Sequence, residues 1–193
     1  MKKTVFTALI LAALLSGCGS AQQSSDAQQP SDAQQPENGS SGVVESTEPM
    51  QETDLPCTFT VPEGWVRSEE YSNAAQIIYV AAAQQDSELP DNIAVSVGTH
   101  RYNTEDPAAF RDGMLEQMAA QRPGSTGEVT EEGTANANGD LLYTFTFESE
   151  DSLTVQHYIV RAQDYALVQL TRYTGAEESL QAAKALADSL QWK

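Results

Sequence analysis

Only two histidines, His100 and His157, and two cysteines, Cys18 and Cys57, are available for nucleophilic or metal chemistry. The histidines lie far apart in the chain and in no metal-ligand spacing. His157 alternates with Tyr158 in a strand-like run, which makes it an ordinary sheet residue. Cys57 beside either histidine would form a nucleophile and its base, yet no local motif joins them. Beyond Lys2 and Lys3 the lysines are only Lys184 and Lys193, in or past the last predicted helix, a poor place for a lysine nucleophile. Acid clusters at Glu128, Glu131 and Glu132 and at Glu148, Glu150 and Asp151 lack the Asp/Asn/Gly alternation of a calcium loop. They read as solvated surface. No phosphate-binding glycine loop, no G-x-S-x-G and no nucleotide fingerprint occurs. The side chains therefore predict a non-enzymatic protein without cofactor or metal. An enzyme using Cys57 is the least supported alternative.

The other cysteine has a sharper context. Lys2 and Lys3 precede an apolar run from Val5 to Leu15 that is short for a bilayer span. Leu15, Ser16 and Gly17 then lead into Cys18, and this stretch resembles the lipobox of a bacterial lipoprotein. The resemblance implies a signal peptide over residues 1–17, cleavage between Gly17 and Cys18, and a lipid on Cys18. A hydrocarbon anchor then replaces a transmembrane helix, each buried methylene contributing about 0.8 kcal/mol. The expected location is the outer side of a cell membrane, with membrane attachment through the lipid on Cys18 alone.

Residues 18–55 are rich in Gln, Ser, Asp and Pro and contain the direct repeat SDAQQP at residues 25–30 and 31–36. So little apolar surface cannot offset the entropy of ordering, and the stretch predicts a disordered tether. A flexible chain of this length has an end-to-end distance of roughly 35 Å.

Residues 56–193 fit one domain. It carries 8 basic against 21 acidic residues, a net charge near −13. Phosphate backbones would be repelled, so nucleic acid is excluded as a partner. Once Cys18 is lipidated, Cys57 has no partner for an intramolecular disulfide, and it reads as a small buried hydrophobe at a strand start. Strands are expected at residues 57–61, 76–82 and 92–98. A helix follows, with Asp106 as N-cap, Pro107 in its first turn, and Phe110, Met114 and Met118 along one buried stripe. Four more strands at residues 127–135, 141–148, 152–162 and 165–173 are joined by short turns, including Asn138-Gly139, and predict an antiparallel meander. Several of them are apolar on both faces, so the sheet needs cover on both sides. Thr174 and Glu177 fit a capping box that opens a last helix bearing Leu180, Ala183, Ala187 and Leu190, with Trp192 packing back on the sheet.

The opening Phe59-x-Val61-Pro62-x-Gly64-Trp65, the order of elements and the closing Ala187-Asp188-Ser189-Leu190 resemble PsbP-like domains. That group includes the extrinsic photosystem II protein and bacterial lipoproteins, and the Ran-binding import factor shares its fold. The resemblance implies an α+β fold in which an antiparallel β-sheet is sandwiched by helices. It supplies no catalytic residues. The expectation is a lipid-anchored, non-catalytic binding or accessory module for an unidentified envelope protein or membrane complex. The alternative is a small-ligand or cation-binding protein with a pocket around Trp65, Tyr71 and Tyr102. Against that alternative, Trp65 after the Pro62-Glu63-Gly64 turn reads as core or rim packing.

Overall fold

A computed structural model describes residues 48–101, 107–121 and 130–193. The segment around Leu15–Cys18, most of the expected tether, Asp106, Tyr102 and Glu128 lie outside the described residues. Among the described residues are nine strands and two α-helices: β1 (Cys57–Thr58), β2 (Trp65–Arg67), β3 (Ile77–Ala81), β4 (Asn92–Thr99), α1 (Pro107–Gln121), β5 (Thr130–Ala135), β6 (Leu141–Glu148), β7 (Leu153–Arg161), β8 (Asp164–Arg172), α2 (Glu177–Ser189) and β9 (Gln191–Trp192).

Seven strands form one fully antiparallel sheet in the order β2-β3-β4-β8-β7-β6-β5. After β4 the chain passes through α1 to the far edge, and the β5–β8 meander then walks back until β8 pairs with β4. The expected meander is thus present. Its turns obey simple rules: Gly139 supplies the positive φ of +85° that the β5–β6 hairpin needs. The β7–β8 turn is Ala162-Gln163: Arg161 pairs with Asp164, and Ala162 takes the positive φ of +50°.

Both faces of the sheet are apolar and both are covered. On one face Ile93, Val95, Ile159, Ala166, Val168 and Leu170 meet Ala183, Leu186 and Ala187 of α2, and Leu190 just after it, in the main core. Alternation along β8 places Tyr165 and Leu167 on the opposite face, where α1 packs. There the Phe110 ring stacks on Tyr143 with centroids 5.8 Å apart and meets Tyr158 edge-on at 5.7 Å. Met114 and Met118 are buried on the same stripe. Two glycines make room for this aromatic layer. A Cβ on Gly98 would lie 2.5 Å from the Tyr165 hydroxyl, and one on Gly133 would lie 3.1 Å from the Tyr143 ring.

Two expectations change. The chain enters the fold earlier than residue 56: Leu55 is buried, and residues 50–55 form a strap across the domain. Arg67 donates to the Met50 carbonyl, Tyr79 to the Glu52 carboxylate at 2.6 Å, and Lys193 to the Thr53 and Leu55 carbonyls. Met50 and Leu55 are apolar residues in an otherwise polar stretch, and packing them on the main core offsets the cost of ordering their neighbours. The first strand is also short. β1 covers two residues and pairs with β9, so Trp192 sits opposite Cys57 in a separate two-stranded ribbon. Its indole still packs against the main core.

The turn before Trp65 forms as its residues predict. Gly64 takes φ +80° and Trp65 N–H donates to the Pro62 carbonyl at 3.2 Å. Trp65 then opens β2, a strand not among those expected, and pairs with Ala81.

Candidate functional site

The chemically capable side chains go to structural tasks. Cys57 is fully buried, and burial pushes its thiol up to about 11, with the nearby Lys193 ammonium pulling weakly the other way. A thiol held protonated is a poor nucleophile. His157 lies on the α2 side of the sheet and shares a 2.9 Å hydrogen bond between its Nδ1 and the Thr144 hydroxyl. Burial, and then the Lys184 ammonium, lower its pKa to about 4, with Asp188 opposing. His100 is buried edge-on to Phe110 with centroids 5.0 Å apart. Among the described residues no three His, Cys, Asp or Glu side chains gather as metal ligands, and no helix is long and apolar enough to cross a membrane.

Asp91 was hidden in what the sequence shows only as a polar connection. Its side chain is fully buried. Oδ1 accepts from the backbone N–H of Tyr173 at 2.8 Å and of Thr174 at 3.0 Å. Oδ2 accepts from the hydroxyls of Thr174 and Ser179, both at 2.7 Å. Burial alone would raise its pKa, but the bonds from Ser179, Thr174 and Tyr173 outweigh it and hold the carboxyl below its ordinary range. This replaces the expected capping box. Thr174 spends its hydroxyl proton on Asp91, and the N-cap position of α2 is Ala176, without a side-chain cap. No local pattern betrays such a group, because its partners lie more than 80 residues away along the chain.

Trp65 is half-buried against the main core, on the face that Ala81 and Tyr79 share. Tyr71 is 40% exposed in the turn after β2, and Tyr102 lies outside the described residues. Neither Trp65 nor Tyr71 lines either of two surface clefts that are present.

One cleft, of about 440 Å³, lies along the strap and is lined by Glu48, Pro49, Met50, Gln51, Asp54 and Ala74. The other, of about 380 Å³, is lined by Asn138, Asp140, Arg161, Gln191 and Trp192. The β5–β6 hairpin, the end of β7 and β9, distant in sequence, build it, and side-chain amides tie the hairpin to the residue before β9. The Leu190 carbonyl, at the end of α2, accepts from the side-chain amides of Asn138 at 2.6 Å and Asn136 at 3.3 Å. Asn136 Oδ1 in turn accepts from the backbone N–H groups of Asn138 and Asp140. The β5–β6 hairpin is thereby fastened to the last helix, and β9 presents Trp192 beside it. The sequence signal for this site was partial: Asn138-Gly139 announced a turn, and nothing announced what the turn would dock against.

No family model matches the sequence, and no curated protein matches it. Among solved structures, the solution structure of cyanobacterial PsbP (CyanoP) from Synechocystis sp. PCC 6803 is similar, with a TM-score of 0.51 and 13% identity, over 82% of this chain and all of that one. A crystal structure of a protein from Bacteroides thetaiotaomicron VPI-5482 aligns more loosely, with a TM-score of 0.44 and 10% identity, over 71% of this chain and 45% of that one. At such identity the likeness to CyanoP concerns architecture alone, a mostly antiparallel sheet with two helices. The domain therefore has a PsbP-like α+β fold.

Proposed function

We propose that the chain is a lipid-anchored protein on the outer side of a cell membrane, and that its domain is a non-catalytic accessory module for an envelope protein or membrane complex. The observation that carries this reading is where the reactive groups have gone. Asp91, His157 and Cys57 are buried, the first two in hydrogen bonds and the third in the core. The Leu15–Cys18 stretch supports the anchor, and the net negative charge keeps the domain clear of anionic headgroups.

Cross-linking in intact cells, comparing the tagged wild type with Cys18→Ala and identifying adducts by mass spectrometry, tests this. A single saturable envelope partner, lost with the anchor, is expected. Absence of any specific adduct overturns the accessory reading, and retention of a fatty-acyl label by Cys18→Ala overturns the anchor.

A further inference from the structure

We propose that the cleft framed by Arg161, Asp140 and Trp192 binds a small zwitterion, a free amino acid or a short peptide whose ammonium and carboxylate are engaged together. This goes beyond the accessory role and stands without it.

The argument begins with charge. Among the described residues, Arg67, Arg111, Arg172 and Lys184 each have a carboxylate partner within 4 Å. Lys193 spends its ammonium on the Thr53 and Leu55 carbonyls. Arg161, like the exposed Arg101, has neither kind of partner among the described residues, although the domain is strongly acidic; of the two, only Arg161 lines a cleft. Asp140 has no cationic partner there either, only a long 3.4 Å contact from the Asn136 amide. Yet these two opposite charges line one cleft. Register makes this pointed: Leu141 pairs with Val160, so the next step along the strands sets Asp140 opposite Arg161. Neighbours of opposite charge that remain apart leave room for a ligand that satisfies both.

The ligand class follows by elimination on chemistry. A simple anion would suit the Arg161 fork but would meet Asp140 and the negative field of the whole domain. A simple cation would suit Asp140 and the field but would meet Arg161. A zwitterion carries its own compensating charge and uses both groups. Its carboxylate takes the guanidinium donors, and its ammonium takes the Asp140 carboxylate. The Asn138 and Gln191 amides supply further hydrogen bonds, and the Trp192 face offers contact to a side chain or ammonium. The volume is at the small end of ligand sites. The clamp from Leu190 to Asn136 and Asn138 fixes the cleft walls beforehand, so little ordering is required on binding.

The test uses the full chain in detergent micelles, with tryptophan fluorescence and thermal shift as readouts. The probes are glycine, alanylalanine, N-acetyl-alanylalanine and alanylalanine amide. Saturable binding of glycine or of the unblocked dipeptide, weakened about tenfold or more by blocking either end, is expected. Arg161→Gln should weaken the unblocked probe and leave N-terminal blocking still harmful, and Asp140→Asn should do the reverse. Arg161 is exposed and Asp140→Asn is isosteric, so both variants should fold, with unfolding midpoints like the wild type. Equal binding of blocked and unblocked peptides, no saturable response to any probe, or unchanged affinity in both variants each overturns the proposal. None of these outcomes bears on the cross-linking result.

Discussion

Replacing Asp91 by alanine removes one carboxylate and strands four donors at once. Two are backbone N–H groups of Tyr173 and Thr174, and two are the hydroxyls of Thr174 and Ser179. The hydroxyls can turn toward other acceptors, but the N–H groups are fixed by the chain. An unmet buried donor costs about 1–3 kcal/mol, so Asp91→Ala should lose about 3–5 kcal/mol, a large share of the ~5–15 kcal/mol typical of a domain. Asp91→Asn retains an oxygen for the two N–H groups and offers its amide to the two hydroxyl oxygens, so about 1–2 kcal/mol is expected. Urea unfolding followed by tryptophan fluorescence measures both. The dependence on pH has a definite sign. The folded carboxyl lies below its ordinary value, so its contribution is complete above the unfolded pKa of about 3.9 and fades as pH falls through the folded value. The gap between wild type and Asp91→Ala should therefore narrow only in that acid range. A loss below about 1 kcal/mol for Asp91→Ala would refute the reasoning from these four hydrogen bonds. Equal losses in both variants would show that charge, and not the hydrogen-bond pattern, is what matters.

His157 should stay neutral in the folded state down to about pH 4, whereas the unfolded chain takes up its proton near the ordinary value of 6.5. Stability should therefore fall by about 3 kcal/mol as pH drops across that window, and His157→Gln, which can still bond Thr144, should remove most of the loss; a loss of the same size in the variant sinks this account. Cys57 should resist iodoacetamide in the folded protein and react on unfolding, as read by peptide mass spectrometry, and rapid native labelling would contradict its burial. Gly98→Val places a branched side chain into the Tyr165 ring and should destabilise by about 1–3 kcal/mol, with a urea midpoint unchanged from wild type as the contrary result.

What the residues disclosed depended on how local the cause was. The meander was readable because period-two apolar strands alternate with turn residues, and α1 because Phe110, Met114 and Met118 repeat every four residues. α2 was readable along Leu180, Ala183 and Ala187, of which the two alanines are fully buried and Leu180 half-buried, while the expected Leu190 is buried just past its end. The start of α2 was misjudged because Thr174 and Glu177 match a local capping pattern while the Thr174 hydroxyl answers to a distant carboxylate. The strap escaped because its polar composition conceals two anchoring apolar residues. The cleft escaped for the same reason as Asp91: Asp140, Arg161 and Trp192 meet only after the sheet and α2 have formed. Long-range polar contacts leave no period behind them.

The strap carries a mechanical consequence. Any pull arriving from the N-terminal side of residue 50 meets the Arg67 and Tyr79 bonds first, and then β1 lying along β9 with Lys193 fastened to Pro56, Thr53 and Leu55. The load is thus shared between the edge of the seven-stranded sheet, through Arg67 of β2 and Tyr79 of β3, and the separate β1–β9 ribbon that Lys193 fastens. Trp192 belongs to that same ribbon. Under the anchoring and the zwitterion binding proposed above, tension and occupancy would both be felt by this one short strand, β9.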